Sequence, residues 1–97
     1  MTRDPAPFAD PWEHTRLLAD TPRTDALLDW LAAWAPGQRV LEVGCGPGLL
    51  TVAAVRMGAV HAIGVEPTDT LDVARALVAD NGLHDRVTLL AGRVQDL

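Results

Sequence analysis

The sequence has 97 residues, of which 48% are apolar and 22% charged, a composition typical of one globular unit. A net charge of −5 gives no strong signal for nucleic-acid binding, and the single cysteine excludes an internal disulfide and a cysteine-rich zinc site. No apolar run approaches the ~20 residues that cross a bilayer, and the start lacks a signal segment, so we expect a cytoplasmic protein without a membrane segment or a metal.

The N-terminal third of the chain is predicted to form an arm followed by helices. Its first prolines favour an extended arm, and the apolar positions of residues 12–19 indicate a short helix. Thr21 and the proline after it are typical of a helix start, and Pro36 ends the predicted helix. Two apolar residues of this helix, Trp30 and Trp34, are large enough that we expect them to pack against the edge or face of a sheet.

The rest of the chain alternates between short apolar runs, typical of strands, and longer helical patterns. The predicted order is strand, helix, strand, helix, strand, over residues 39–43, 49–57, 60–65, 70–80 and 86–90. This alternation indicates βαβ units with right-handed crossovers, and hence an α/β fold with a parallel sheet. Because each strand is almost continuously apolar, we expect helices to cover both faces of the sheet.

A glycine-rich loop follows the first predicted strand. It reads GCGPG over residues 44–48 and leads into a helix that begins at Leu49. Glycine permits positive φ and close backbone approach, while the amides at the start of a helix favour a bound electronegative group. Glycines also occur wherever a strand turns sharply into a helix, so the loop predicts a ligand only together with other features.

Two acidic residues supply those features. Glu66 ends the second predicted strand, where a carboxylate can accept hydrogen bonds from ribose hydroxyls. Glu42 lies just before the loop, where its negative charge would repel a pyrophosphate and would attract a ligand with a cationic amino group. This carboxylate and the GxGxG spacing disfavour a dinucleotide-dependent oxidoreductase, which usually has GxGxxG. The alternative for Glu66 is an ordinary solvated carboxylate at a strand end, and the alternative for Glu42 is an ordinary half-buried residue of the strand.

The run VLEVGCGPGLLTVAA with the later GVE resembles the class I S-adenosylmethionine-dependent methyltransferases. The segment HTRLLADTPRT, residues 14–24, is similar to the one that precedes the cofactor fold in protein arginine methyltransferases, and GRVQDL is similar to that family's segment after the third strand. The resemblance implies a Rossmann-like, partial doubly wound parallel sheet of order 3-2-1 with N-terminal helices. It divides the chain into an arm with helices, 1–36, and a cofactor-binding half domain, 37–97.

The resemblance also implies a site for S-adenosylmethionine. Arg23 would clamp the methionine carboxylate, Glu42 would hold the methionine end with the glycine loop, and Glu66 would take the ribose hydroxyls. The adenine contact falls at Val94 and Gln95, where a glutamate is usual in the family. No catalytic residue is assigned. The implied cofactor-binding residues are His14, Arg23, Glu42, Gly44, Cys45, Gly46, Gly48, Leu49, Glu66, Pro67, Val94 and Gln95.

The substrate-gripping glutamates of arginine methyltransferases follow a fourth strand, which in that family lies beside the first. The sequence stops at Leu97, before such a strand, so we expect the first strand to be an open edge that pairs with a second copy or a complementing chain. The expected function is S-adenosylmethionine binding as part of a methyltransferase that acts on a protein arginine or a related nitrogen or oxygen. The alternative is a non-catalytic binding module or an inactive fragment.

Overall fold

The computed structural model describes residues 21–97, with side chains described from residue 25 onward. The predicted arm, the predicted helix over 12–19 and His14 lie outside the described residues. No helix within residues 21–97 is both long and apolar enough to cross a membrane. The elements in chain order are α1 (Thr21–Trp34), β1 (Arg39–Val43), α2 (Leu49–Arg56), β2 (His61–Glu66), α3 (Thr70–Asp80), β3 (Val87–Ala91) and a 3₁₀ turn (Val94–Asp96).

The three strands form one parallel sheet in the order β1-β2-β3, which confirms the predicted α/β fold and the 3-2-1 order. The register places Glu42 beside Gly64, and Gly64 beside Leu89. Within the described residues β1 pairs with β2 alone, so β1 is the expected open edge. The predicted strand and helix boundaries agree with the observed ones to within one residue in residues 39–91.

One face of the sheet carries the main core. Val52 and Val55 of α2 and Val78 of α3 pack there against Ala62 and Val87 of the sheet. Both crossover helices lie on this face because β1, β2 and β3 follow each other in the same direction, and right-handed crossovers then return on the same side. The expectation that helices cover both faces is therefore wrong for the part of the chain that the structure describes.

The opposite face of the sheet is partly open. Leu41 and Val43 of β1 are 56% and 58% exposed, and Leu90 of β3 is 38% exposed. Alternation along a strand explains this pattern, since Val40 and Glu42 point to the helix side while their neighbours point away. The apolar character of β1 thus reflects a face that the described helices leave uncovered.

Helix α1 packs against α2 on the helix side of the sheet. Leu31 of α1 and Ala35, which directly follows the helix, are buried against Ala54 of α2 and against Ala59. The predicted packing of the tryptophans is wrong: Trp30 and Trp34 are 59% and 66% exposed and border an apolar groove beside the start of β1. The alanines at this contact allow a close approach, and the contact turns the tryptophans away from the core.

Candidate functional site

The carboxyl ends of the three strands bring the predicted site segments to one edge of the sheet. The amides of Gly44 and Cys45, in the loop after β1, donate to the carbonyl oxygen of Val65 at 2.8 and 3.0 Å. After β3, the amide of Gly92 donates to the carbonyl oxygen of Glu66 at 3.1 Å. The loop, the strand-end carboxylate and the segment before the 3₁₀ turn are therefore adjacent, as expected where parallel strands end.

The glycine loop needs its glycines for two different reasons. Gly44, Gly46 and Gly48 all have positive φ, at 71°, 54° and 82°. A Cβ on Gly44 would meet nothing within 4 Å, so the surroundings of this backbone are open. A Cβ on Gly48 would lie 2.9 Å from the Cβ of Ala74, so this glycine is also required for α3 to approach the loop.

Glu66 is buried at the end of β2, with 6% of the residue exposed, and its carboxylate is held from two sides. Its Oε1 accepts a hydrogen bond from the amide of Gly46 at 2.9 Å. Its Oε2 accepts from the amide of Thr68 at 3.0 Å and from the hydroxyl of Thr68 at 2.5 Å. A carboxylate has about four acceptor positions, so these three bonds leave one for a ligand without rearrangement.

Glu42 is half-buried on β1, and its Oε1 accepts a hydrogen bond from the hydroxyl of Thr51 in the first turn of α2. Thr51 can reach this position because Gly64, the residue of β2 beside Glu42, has no side chain. A Cβ on Gly64 would lie 2.8 Å from the Sγ of Cys45 and 3.1 Å from the Oγ1 of Thr51. Gly64 therefore makes room for the loop and the helix above the sheet.

Cys45 lies close to both carboxylates. The pKa of its thiol is raised from 9.0 to about 12, first by burial and then by the negative charges of Glu42 and Glu66. The thiol is therefore protonated at neutral pH, and a protonated thiol is a poor nucleophile. Glu66 meets the glycine loop through the amide of Gly46, and Glu42 meets the first turn of the following helix through Thr51, so both carboxylates lie beside the loop.

This arrangement suits one chemical class of ligand. Two carboxylates accept hydrogen bonds from hydroxyl or amino groups and repel a pyrophosphate, while the first amides of α2 can meet an electronegative group. A nucleoside that carries an amino acid has each of these groups, so the residues present fit S-adenosylmethionine. Residues 21–97 contain no group of three or more His, Cys, Asp or Glu side chains that could hold a metal ion.

The other predicted site residues that the structure describes are exposed and follow the loop, Glu66 and β3 along the chain. Leu49 and Pro67 are exposed and directly follow the loop and Glu66. Val94 and Gln95 are exposed on the 3₁₀ turn, two and three residues beyond Gly92. Arg23 belongs to α1, but its side chain lies outside the described residues, as does the whole of His14. The structure therefore joins the loop, Glu42 and Glu66, while the assigned contacts of the remaining residues stay predictions.

Three residues of the site were not among the sequence predictions. They are Thr51, which binds Glu42; Gly64, which makes room for Thr51; and Thr68, which binds Glu66. A sequence signal existed for Thr68, since a threonine shortly before a helical pattern is typical of a residue that bonds backbone or side-chain groups at a helix start. Thr51 and Gly64 carried no such signal, because their roles depend on a contact between α2 and β2.

Comparison with known proteins identifies a methyltransferase family and similar methyltransferases. The family model for ribosomal protein L11 methyltransferase (PrmA) matches residues 20–96. A protein arginine N-methyltransferase 1 of Saccharomyces cerevisiae is 45% identical over 58 residues, covering 60% of this chain and 17% of that protein. A protein arginine N-methyltransferase 1 of Chlamydomonas reinhardtii is 32% identical over 87 residues, covering 87% of this chain and 25% of that protein. The chain thus spans a quarter or less of these relatives.

Solved structures agree with the sequence comparison. The crystal structure of PRMT6 with SAH matches with a TM-score of 0.84 at 29% identity, over 90% of this chain and 26% of that chain. The Trypanosoma brucei PRMT1 enzyme-prozyme heterotetrameric complex with AdoHcy matches with a TM-score of 0.79 at 36% identity, over 87% of this chain and 27% of that chain. The chain belongs to the ribosomal protein L11 methyltransferase (PrmA) family, hence to the class I S-adenosylmethionine-dependent methyltransferases, and it resembles the N-terminal part of protein arginine methyltransferases.

Proposed function

We propose that this chain provides the S-adenosylmethionine site of a methyltransferase whose acceptor is a protein arginine or a related nitrogen or oxygen nucleophile. The observation that supports the site most directly is the buried carboxylate of Glu66, which bonds the amide of Gly46 within the glycine loop. The acceptor class rests on the arginine methyltransferases among its relatives. The alternative, a module that binds the cofactor without reaction, shares the same site.

In this proposal each end of the cofactor meets a different carboxylate. Glu66 accepts a ribose hydroxyl, and Glu42, held by Thr51, attracts the amino group of the methionine end. Arg23 binds the methionine carboxylate, since a guanidinium can donate two parallel hydrogen bonds. Val94 and Gln95 lie beside the adenine. S-adenosylmethionine supplies a methyl group already activated on a sulfonium, so the chain's own task is to bind and orient it.

Calorimetric titration with S-adenosylhomocysteine tests this proposal. We expect binding to the wild-type chain, and a loss of about 10-fold or more in Glu66→Gln and Arg23→Ala, because each variant removes a hydrogen bond to a charged group. Asp80→Asn is the matched control for Glu66→Gln, since Asp80 is an exposed carboxylate at the end of α3. Folded wild-type protein that does not bind S-adenosylhomocysteine contradicts the proposed site.

Association and location complete the proposal. We propose that the open edge of β1 pairs with a second copy of the chain or with a complementing chain, because an unpaired strand exposes backbone donors and acceptors. The Trypanosoma brucei PRMT1 enzyme-prozyme complex is a heterotetramer, which supports association. We place the protein in the cytoplasm, since a single free thiol suits a reducing compartment.

A further inference from the structure

A short chain of hydroxyl groups ends on the carboxylate of Glu66. The Oγ1 of Thr68 lies 2.5 Å from Oε2 of Glu66 and 3.0 Å from the Oγ1 of Thr70. The amide of Thr70 also donates to the Oγ1 of Thr68 at 3.3 Å. A hydroxyl has one proton, and a bond to a charged acceptor is the stronger one, so the Thr68 hydroxyl donates to Glu66 while its oxygen accepts from the amide of Thr70.

These contacts determine the plane of the Glu66 carboxylate. The amide of Gly46 holds Oε1, and Thr68 holds Oε2 through both its amide and its hydroxyl. The terminal torsion of a glutamate is otherwise soft, so one held oxygen alone would leave the other free to rotate. Thr68 is itself held by Thr70, which is buried at the start of α3, and the orientation therefore depends on this helix.

We propose that Thr68 is a positioning residue, whose hydroxyl keeps the Glu66 carboxylate in the one orientation that receives a ribose hydroxyl. The inference rests on the proposed function, because it assumes that Glu66 meets the ribose. Thr68 acts on the ligand through Glu66 and need not touch it.

The test combines a change in the protein with a change in the ligand. Affinities are measured for S-adenosylhomocysteine and for its analogue without both ribose hydroxyls, on the wild type, Thr68→Val and Thr68→Ser. We expect Thr68→Val to bind S-adenosylhomocysteine about 10-fold more weakly, because the variant keeps the shape and loses the hydroxyl. Thr68→Ser should stay within about 3-fold of the wild type, and the dideoxy analogue should bind all three proteins equally.

The control variant is Thr88→Val, which removes a threonine hydroxyl bonded to His61 away from Glu66. It should change neither affinity. Circular dichroism checks that each variant is folded. If Thr68→Val does not fold, Thr68→Ala is measured in its place.

Two results would overturn the role of Thr68: an unchanged affinity of Thr68→Val for S-adenosylhomocysteine, or an equal loss for both ligands, which indicates a general structural effect. Either result leaves the proposed function intact if the wild type binds S-adenosylhomocysteine and Glu66→Gln does not. Failure of the wild type to bind removes the proposed function and this inference together.

Discussion

At the scale of single residues, the site is a set of acceptors held by specific donors. The carboxylate of Glu66 accepts hydrogen bonds from the amide of Gly46 and from Thr68, and the carboxylate of Glu42 accepts one from the hydroxyl of Thr51. Buried or half-buried carboxylates are stable only when such donors compensate for lost hydration. Stability and binding are therefore coupled here, and variants of the donors need both measurements.

The thiol of Cys45 predicts an alkaline loss of stability. Its pKa is about 12 in the folded protein and 9.0 ordinarily, so folding favours the neutral thiol. This contribution is complete below pH 9.0 and is lost as the pH rises toward about 12, because the unfolded chain releases its proton first. We expect the free energy of unfolding to fall by about 1 kcal/mol per pH unit above pH 9.

Denaturant titrations at pH 8.5 to about 10.5 measure this slope. The chain has no lysine and no tyrosine, which are the other side chains whose ordinary pKa values lie near this window. Cys45→Ala is the control and should remove the slope. The same slope in that variant contradicts the assignment to Cys45.

Replacing Thr51 tests the support of Glu42. Thr51→Val keeps the buried shape but leaves the Glu42 carboxylate without this donor, so we expect a loss of about 1 to 3 kcal/mol in the free energy of unfolding. Thr51→Ser keeps the hydroxyl and should lose less. Urea unfolding measures the free energy of unfolding of both variants. If Thr51→Val loses no more of it than Thr51→Ser does, the hydrogen bond does not stabilise the fold.

At the scale of elements, the glycine loop and α3 depend on each other. Gly48 has φ of 82° and would place a Cβ 2.9 Å from Ala74, whereas Gly82 has φ of 64° and open space around it. Both need a left-handed backbone, but only Gly48 also makes a tight contact. The two glycines therefore separate backbone strain from crowding between elements.

The corresponding prediction concerns Gly48→Ala and Gly82→Ala. We expect about 1 kcal/mol of destabilisation in Gly82→Ala from positive φ alone. Gly48→Ala should cost a further amount of about 1 to 3 kcal/mol, because the new methyl group forces α3 away from the loop. Chemical denaturation gives both values, and equal losses in the two variants show that Ala74 does not limit this position.

At the scale of the whole molecule, one side of the sheet and one edge are apolar and open. Leu41 and Val43 of the edge strand and Leu90 of β3 form this open face, opposite the helices. Such a surface on a small domain favours association, because burial of exposed apolar side chains against a partner is favourable. This face adjoins the edge of β1 that we propose to pair with a second copy or a complementing chain.

Leu41→Lys tests association through this face. We expect the wild-type chain to self-associate with increasing concentration in sedimentation experiments, and Leu41→Lys to shift that association to about 10-fold higher concentration, since a buried charge is costly. Val73→Lys is the control, because Val73 is an exposed residue on the outer side of α3. A wild type that stays monomeric and unfolds cooperatively contradicts this use of the face.

Local patterns in the chain were sufficient to predict most of the fold. The alternation of apolar runs, the GxGxG loop and Glu66 predicted the strands, the crossovers and the site edge, because each depends on local periodicity or on the rule that parallel strands end together. Tertiary contacts decided the rest. Leu31 of α1 and Ala35 after it, and not the tryptophans, make the contact with α2. Helices α2 and α3 share one face of the sheet, and Thr51, Gly64 and Thr68 support the carboxylates. These contacts join residues from different elements, so only their packing in space determines which side chains meet.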